Sequence, residues 1–166
     1  MNKRAAGVLG VILALGLIAP QLAAGSAEES PLKVSLSSVP KVRYTRTHIP
    51  LKVTFENTGD ESLRILRQFE DPRTLPVFFE FEIKAVGGGM VQVPGAGKIT
   101  PYRDSEKYVE LKKGQTFEVR IDLARLIPPA ARMPAGLYDI SVIYHNQYGT
   151  GFKGRVASNS VRIKVT

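Results

Sequence analysis

Apolar and polar residues alternate strictly along several short segments of this chain, and this period of two predicts β-strands. Such a strand places its apolar side chains on one face, which suits an antiparallel sheet with one face on a core and the other in water. Two such sheets bury their apolar faces against each other. The pattern therefore predicts an all-β, antiparallel, immunoglobulin-like two-sheet sandwich of about seven to eight strands, with a closed barrel as the alternative. The clearest alternating segments are residues 32–37, 51–56, 116–123, 137–145 and 160–166.

The first 27 residues have the layout of a secretory signal peptide. Lys3 and Arg4 give a positive start, residues 5–19 form an uncharged apolar run, and small residues follow Pro20. This order is typical of a signal peptide, and the apolar run is shorter than the about 20 residues of a spanning helix. We expect cleavage after Ala27, or alternatively after Gly25. A cleaved signal peptide at 1–27 and one domain at 28–166 predict a periplasmic or secreted protein with no stable membrane insertion after cleavage.

The chain contains no cysteine, which excludes disulfides, thiol catalysis and cysteine-ligated zinc. Packing alone must therefore hold the expected domain together. The net charge is +8, and the basic residues are dispersed along the predicted strands and loops. We interpret them as a solubilising surface, and we expect no nucleic-acid partner.

Gly136 and Tyr138 stand at the start of the predicted penultimate strand. A Gly-x-Tyr at this place resembles the tyrosine corner of immunoglobulin-like domains, in which the hydroxyl is bonded to the preceding loop. The resemblance implies a structural role for both residues, with residues 128–134 as that loop. The paired cysteines and the core tryptophan of antibody domains are absent.

Three further segments carry a broader resemblance: residues 51–59 with the turn that follows them, residues 109–115 and residues 136–144. Together they are similar to accessory β-domains of exported bacterial proteins. They are also similar to the β-domain that precedes the zinc catalytic domain of deuterolysin-type peptidases. The resemblance implies a sandwich fold. The His-Glu-x-x-His helix of the catalytic domain is absent from the sequence, so no protease activity follows from it.

Chemistry-bearing residues are sparse. His48 and His145 are the two histidines, and Met90 and Met133 could join them in a soft-metal site, but no ligand spacing connects them. The pair Glu80 and Glu82 alternates with apolar residues and belongs on a solvent-exposed face. We therefore expect no metal, no cofactor and no enzymatic activity, and we interpret the glycines at 87–89 as a hairpin turn.

The segment 144–159, between the last two strands predicted from the alternation, mixes aromatic, amide and basic side chains. Loops at the end of a sandwich commonly bind partners, so we expect a monomeric binding domain for a protein or a polysaccharide of the cell envelope. The other reading of this segment is a hairpin whose aromatic rings cover an edge of the sandwich. The candidate binding residues are Tyr144, His145, Tyr148, Phe152, Lys153 and Arg155.

Three alternatives remain open. The basic loop 40–48 could face an anionic surface, although solvation alone explains it. The segment 126–134, with Arg125 and Arg132, could inhibit an extracellular protease. A pocket between the sheets could hold a small molecule. An uncapped edge strand could also take up a partner strand, but the sequence does not say which edge is open.

Overall fold

The structure is a computed structural model that describes residues 30–67, 74–95 and 108–166; the expected signal peptide lies outside these residues. Almost all of its regular structure is β. A single helical turn, α1 (Leu75–Phe78), precedes β4, and two 3₁₀ turns (Leu123–Arg125 and Pro129–Ala131) follow β7. In the described ranges no helix is both long and apolar enough to cross a bilayer. The strands are β1 (Leu32–Ser38), β2 (Pro50–Asn57), β3 (Leu63–Leu66), β4 (Phe79–Ala85), β5 (Met90–Val91), β6 (Tyr108–Leu111), β7 (Thr116–Asp122), β8 (Gly136–Asn146), β9 (Gly154–Ala157) and β10 (Val161–Val165).

Two antiparallel sheets form the sandwich. The first has the order β1-β2-β7, and the second has the order β10-β8-β4-β5. Strands β9 and β10 lie end to end along the same side of β8, and β4 pairs with its other side. A small two-stranded sheet of β3 and β6 stands beside them. The predicted all-β sandwich is confirmed. Strand β9 lies inside the segment 144–159 and pairs antiparallel with β8, as in the hairpin that is the other reading of this segment. Its two apolar residues, Val156 and Ala157, are adjacent, so its sequence shows no alternation.

The core is one apolar cluster to which both sheets contribute. At its centre lies the ring of Phe55 from β2, which is fully buried. This ring meets Tyr144 of β8 edge-on, with centroids 5.0 Å apart and an interplanar angle of 84°. It also lies 6.2 Å from Phe79 of β4 and 6.2 Å from Phe117 of β7. Edge-to-face and offset pairs of this kind stabilise a core beyond the area they bury.

Two asparagine side chains form hydrogen bonds with backbone groups at the ends and edges of the strands. Asn57, at the end of β2, is fully buried, and its amide donates to the carbonyls of Glu61 at 2.7 Å and Leu111 at 2.8 Å. Asn159 links the two sheets: its Oδ1 accepts from the Leu36 N–H at 2.9 Å, and its Nδ2 donates to the Leu36 carbonyl at 3.0 Å. One side chain thus satisfies both backbone groups of an edge-strand residue.

Tyr138 closes one end of the core. Its ring is buried, and its hydroxyl donates to the carbonyl of Pro134 at 2.9 Å, the bond that a tyrosine corner makes. A Cβ placed on Gly136 would lie 3.5 Å from Tyr138 Cε2, which is ordinary van der Waals contact. The hydrogen bond from Tyr138 therefore holds the preceding loop in place. The space beside Gly136 would also accommodate an alanine side chain.

We expect Tyr138→Phe to lower the free energy of unfolding by about 1 kcal/mol, because it removes one buried hydrogen bond and keeps the ring. Urea denaturation measures this difference. Tyr148→Phe is the control, since the described residues offer no hydrogen-bond partner to the exposed Tyr148 hydroxyl. Equal losses in the two variants would show that the bond to Pro134 contributes nothing.

Candidate functional site

The candidate residues begin at the end of β8, where successive side chains point to opposite faces. Tyr144 points inward and has 0% exposure, and burial raises the pKa of its phenol. The prediction of Tyr144 as a binding residue is therefore wrong, because its side chain belongs to the core and is inaccessible to a partner. His145 points to the outer face and is partly exposed.

Asn146 organises the loop that leads from β8 to β9. It is 1% exposed, and its Nδ2 donates to the carbonyls of Tyr148 at 3.1 Å and Phe152 at 2.9 Å. Its Oδ1 accepts from the Tyr148 N–H at 2.9 Å. Asn146 is not among the binding residues predicted from the sequence. The alternation along β8 could have indicated a structural role for Asn146, because position 146 continues the inward-facing series of Ile140 and Val142 and holds a polar residue.

The second half of the loop is bound to the small sheet. The Phe152 N–H donates to the Arg64 carbonyl at 2.7 Å, and the Thr150 N–H donates to the Tyr108 hydroxyl at 2.9 Å. Gly151 sits so close that a Cβ would lie 2.6 Å from the Arg64 carbonyl oxygen. The half-buried Phe152 ring stacks on Tyr144 at 6.4 Å. Phe152 therefore covers the edge of the core.

The first half of the loop lines a groove of about 360 Å³. Tyr148 is 41% exposed, and its ring stands edge-on against Phe78 at 6.3 Å and 78°. The groove thus has an aromatic wall whose orientation is fixed by a buried neighbour, together with amide, imidazole and carboxylate groups. Its lining consists of Pro76, Val77, Phe79, Glu80, Phe81, Val93, Pro94, Gly95, His145, Gln147 and Tyr148.

Charged groups surround His145. Arg155, opposite His145 in the β8–β9 register, forms an ion pair with Glu80. Desolvation lowers the pKa of the His145 imidazole and Arg155 adds to this effect, while Glu80 opposes it. Lys153 is exposed and lines a shallow depression on the other side of His145. Of the predicted binding residues, the structure therefore brings His145, Tyr148 and Arg155 together, with Lys153 nearby.

The floor of the groove is an edge of β4. The Ala85 N–H donates to the Gly89 carbonyl at 3.0 Å, so Ala85 directs its backbone groups away from β8. In an antiparallel ladder every second residue does the same, which includes Phe81. Strand β5 pairs only with Ile83 and Lys84. Within the described ranges, no strand pairs with this edge of β4 at Phe81.

The other candidates of the sequence analysis lie elsewhere. His48 Nδ1 is 2.9 Å from Asp122 Oδ2, at the opposite end of the sandwich from His145. Met133 is buried. The part of the chain that the structure describes contains no group of three or more His, Asp or Glu residues that could hold a metal ion.

The segment 126–134 is anchored rather than extended. Leu126, Ile127 and Met133 are buried, and residues 129–131 form a 3₁₀ turn. Arg125 and Arg132 are exposed on either side of this turn. Protease inhibition through this segment stays a prediction.

No family model matches the chain, and no curated protein matches it. Solved structures similar to it include three crystal structures of the β-glucosidase from Listeria innocua, in complex with glucose, gluconolactone and isofagomine. Their sequence identities to the chain are 14%, 14% and 13%, each with a TM-score of 0.38. Each match covers 81% of this chain and 16% of the β-glucosidase chain. At this TM-score the likeness carries no argument about the chemistry of this chain.

We expect Gly151→Ala to lower the free energy of unfolding by about 1–3 kcal/mol, because the new methyl group overlaps the Arg64 carbonyl. Hydrogen exchange of the Phe152 amide should accelerate with it, since that amide bonds to the same carbonyl. Gly95→Ala is the matched control, because a Cβ there meets nothing within 4 Å. Unchanged exchange at Phe152 would contradict the proposed docking of the loop.

The lowered pKa of His145 makes stability depend on pH. In the unfolded chain the imidazole has a pKa of about 6.5. As the pH falls through this value, the unfolded chain takes up a proton before the folded one does. The contribution of His145 to the free energy of unfolding is therefore fully present above about pH 6.5, and this contribution is lost as the pH falls towards the folded-state pKa.

Urea midpoints at about pH 7.5 and about pH 5.5 measure this loss. His145→Gln should reduce the difference between the two midpoints, whereas His48→Gln should leave the contribution of His145 in place. A difference that is the same in His145→Gln and in the unsubstituted chain would exclude His145 as its source.

Proposed function

We propose that this chain is a non-enzymatic binding domain that takes up an extended segment of a partner protein of the cell envelope. The observation that carries the proposal is the groove of about 360 Å³ along the β4 edge at Phe81. An extended peptide can add to an exposed sheet edge through main-chain hydrogen bonds, and flanking pockets then select its side chains. The unpaired edge of β4 at Phe81, among the described residues, and the groove beside it support this mode of binding.

The side chains around the edge favour this mode of binding. Tyr148 and Pro94 offer apolar contact, while Gln147, His145 and Glu80 offer hydrogen bonds. An aromatic residue held by a buried neighbour loses little freedom on binding, and this favours affinity. The Tyr148 ring meets this condition through its contact with Phe78.

A polysaccharide is the other expected partner. Whether the backbone of β4 takes part in binding distinguishes a peptide from a polysaccharide. A peptide strand paired with β4 would bond to the Phe81 amide, whereas a sugar held by Tyr148 and Gln147 would bond to side chains. Protection of the Phe81 amide therefore reports the class of the partner.

The test begins with residues 28–166 as bait for envelope proteins and, in parallel, for purified envelope polysaccharide. For the species retained, we expect a peptide whose binding slows hydrogen exchange at the Phe81 amide. Tyr148→Ala should weaken binding about tenfold, as for an aromatic residue central to an interface. Tyr44→Ala, at the opposite end, is the control.

Retention of polysaccharide without protection of Phe81 would replace the peptide with a glycan as the ligand of this groove. A retained protein whose affinity is unchanged by Tyr148→Ala would place its binding site elsewhere on the domain.

A further inference from the structure

The end of the sandwich opposite the groove carries a concentrated apolar surface. The described residues include four large hydrophobic side chains that are exposed, and three of them, Val86, Met90 and Leu137, lie at this end. Their exposures are 47%, 52% and 44%. The fourth, Tyr148, lines the groove. Single exposed apolar residues are ordinary on a protein surface, whereas a cluster marks a site of interaction.

These three residues, here called the apolar corner, face the same way. The Val86 N–H donates to the Leu137 carbonyl at 2.9 Å, so Val86, which directly follows β4, lies beside Leu137 of β8. Met90 is opposite Lys84 in the β4–β5 register, on the outer face of the sheet. Met90 and Val86 are therefore diagonal neighbours, at a separation of about 7 Å that long side chains bridge.

A bare hairpin tip projects beside the apolar corner. Gly87, Gly88 and Gly89 have φ values of 110°, 115° and 94°. A Cβ built on any of them would meet nothing within 4 Å, so no part of the described chain packs on this tip. Three successive glycines leave this tip without side chains.

Basic side chains border the apolar corner. Lys164 is opposite Leu137 in the β8–β10 register, and Lys84 stands opposite Met90. Arg43 reaches this end through its bond from Nε to Thr166 Oγ1 at 2.9 Å, and Arg132 lies in the loop that leads into β8. Among the described residues no carboxylate is within salt-bridge distance of Lys164, Arg43 or Arg132.

The carboxylates near this end are already engaged. Both oxygens of Asp139 accept from Arg162, at 2.7 and 2.8 Å. Glu82 lies 3.8 Å from Lys84 Nζ. The free charge beside the apolar corner is therefore positive, in line with the net charge of +8 of the whole chain.

We propose that the apolar corner attaches the protein peripherally to an anionic phospholipid surface. Apolar side chains enter the boundary between head groups and acyl chains, and the surrounding lysines and arginines contact the lipid phosphates. Charge complementarity favours this occupant over a neutral apolar partner. Strand β4 runs from Phe81, on the floor of the groove, to Ala85 beside the apolar corner, so about 13 Å of strand separates the near edges of the two surfaces.

The test uses residues 28–166, which contain every strand and core residue described, and two kinds of vesicle. One is phosphatidylcholine alone, and in the other about a third of the lipid is phosphatidylglycerol. We expect the protein to sediment with the anionic vesicles and to be released by high salt. Val86→Ser, Met90→Ser and Leu137→Ser together should lower the partition coefficient about tenfold or more.

Charge and position are tested separately. Arg132→Glu and Lys164→Glu should each lower partitioning about fivefold or more, because each removes a cation next to the surface. Tyr148→Ser, at the other end, is the control and should partition as the unsubstituted chain does. Leu137→Ser alone replaces the triple variant if thermal unfolding shows that the latter is unfolded.

Equal sedimentation with the two kinds of vesicle would overturn the proposal. Unchanged partitioning of a folded Leu137→Ser variant would overturn it as well. A variant that loses self-association on gel filtration, but keeps its vesicle binding, would make the apolar corner a contact between two copies of the chain.

Discussion

The edge-on contact between Phe55 and Tyr144 is the interaction on which the two-sheet arrangement depends. The chain has no cysteine, so no covalent bond joins the sheets. The ring of Phe55 is buried between Tyr144 and Phe79 of one sheet and Phe117 of its own. Because side chains alternate along a strand, fixing Tyr144 inward also turns His145 outward and Asn146 inward. The packing of one ring thus determines which side chains of the loop can meet a partner.

Buried asparagines at the ends of two core strands hold the loops that follow these strands. Asn57 and Asn146 stand at the ends of β2 and β8, and each accepts a hydrogen bond from the residue two positions later. Each also donates to two carbonyls, so its buried polar atoms are satisfied and the following turn has one conformation. A binding surface built on such a loop is preorganised, because its conformational entropy was lost on folding rather than on binding.

The alternating pattern predicted the sheets and the inward-facing side chains, and Tyr138 could be placed against its loop from a short motif. The same pattern places Tyr144 in the inward-facing series of Tyr138, Ile140 and Val142. Its prediction as a binding residue of the loop did not take this alternation into account. Other features depend on contacts that no local pattern contains. The docking of Phe152 on Arg64 joins residues far apart in sequence. Among the described residues, the edge of β4 at Phe81 has no paired strand because β5 is only two residues long, a property of the partner strand.

The two ends of β8 bear different surfaces, and the rigidity of the sandwich sets their relation. An apolar corner with basic neighbours stands at Leu137, and a groove with aromatic and amide walls stands at Tyr148. Because the paired strands β4 and β8 connect the two ends, we expect occupation of one surface to leave the geometry of the other unchanged. Any gain from using both is then one of effective concentration, because a domain held at a surface searches a smaller volume for a partner anchored there. Separation of the two surfaces, rather than communication between them, is what this fold provides.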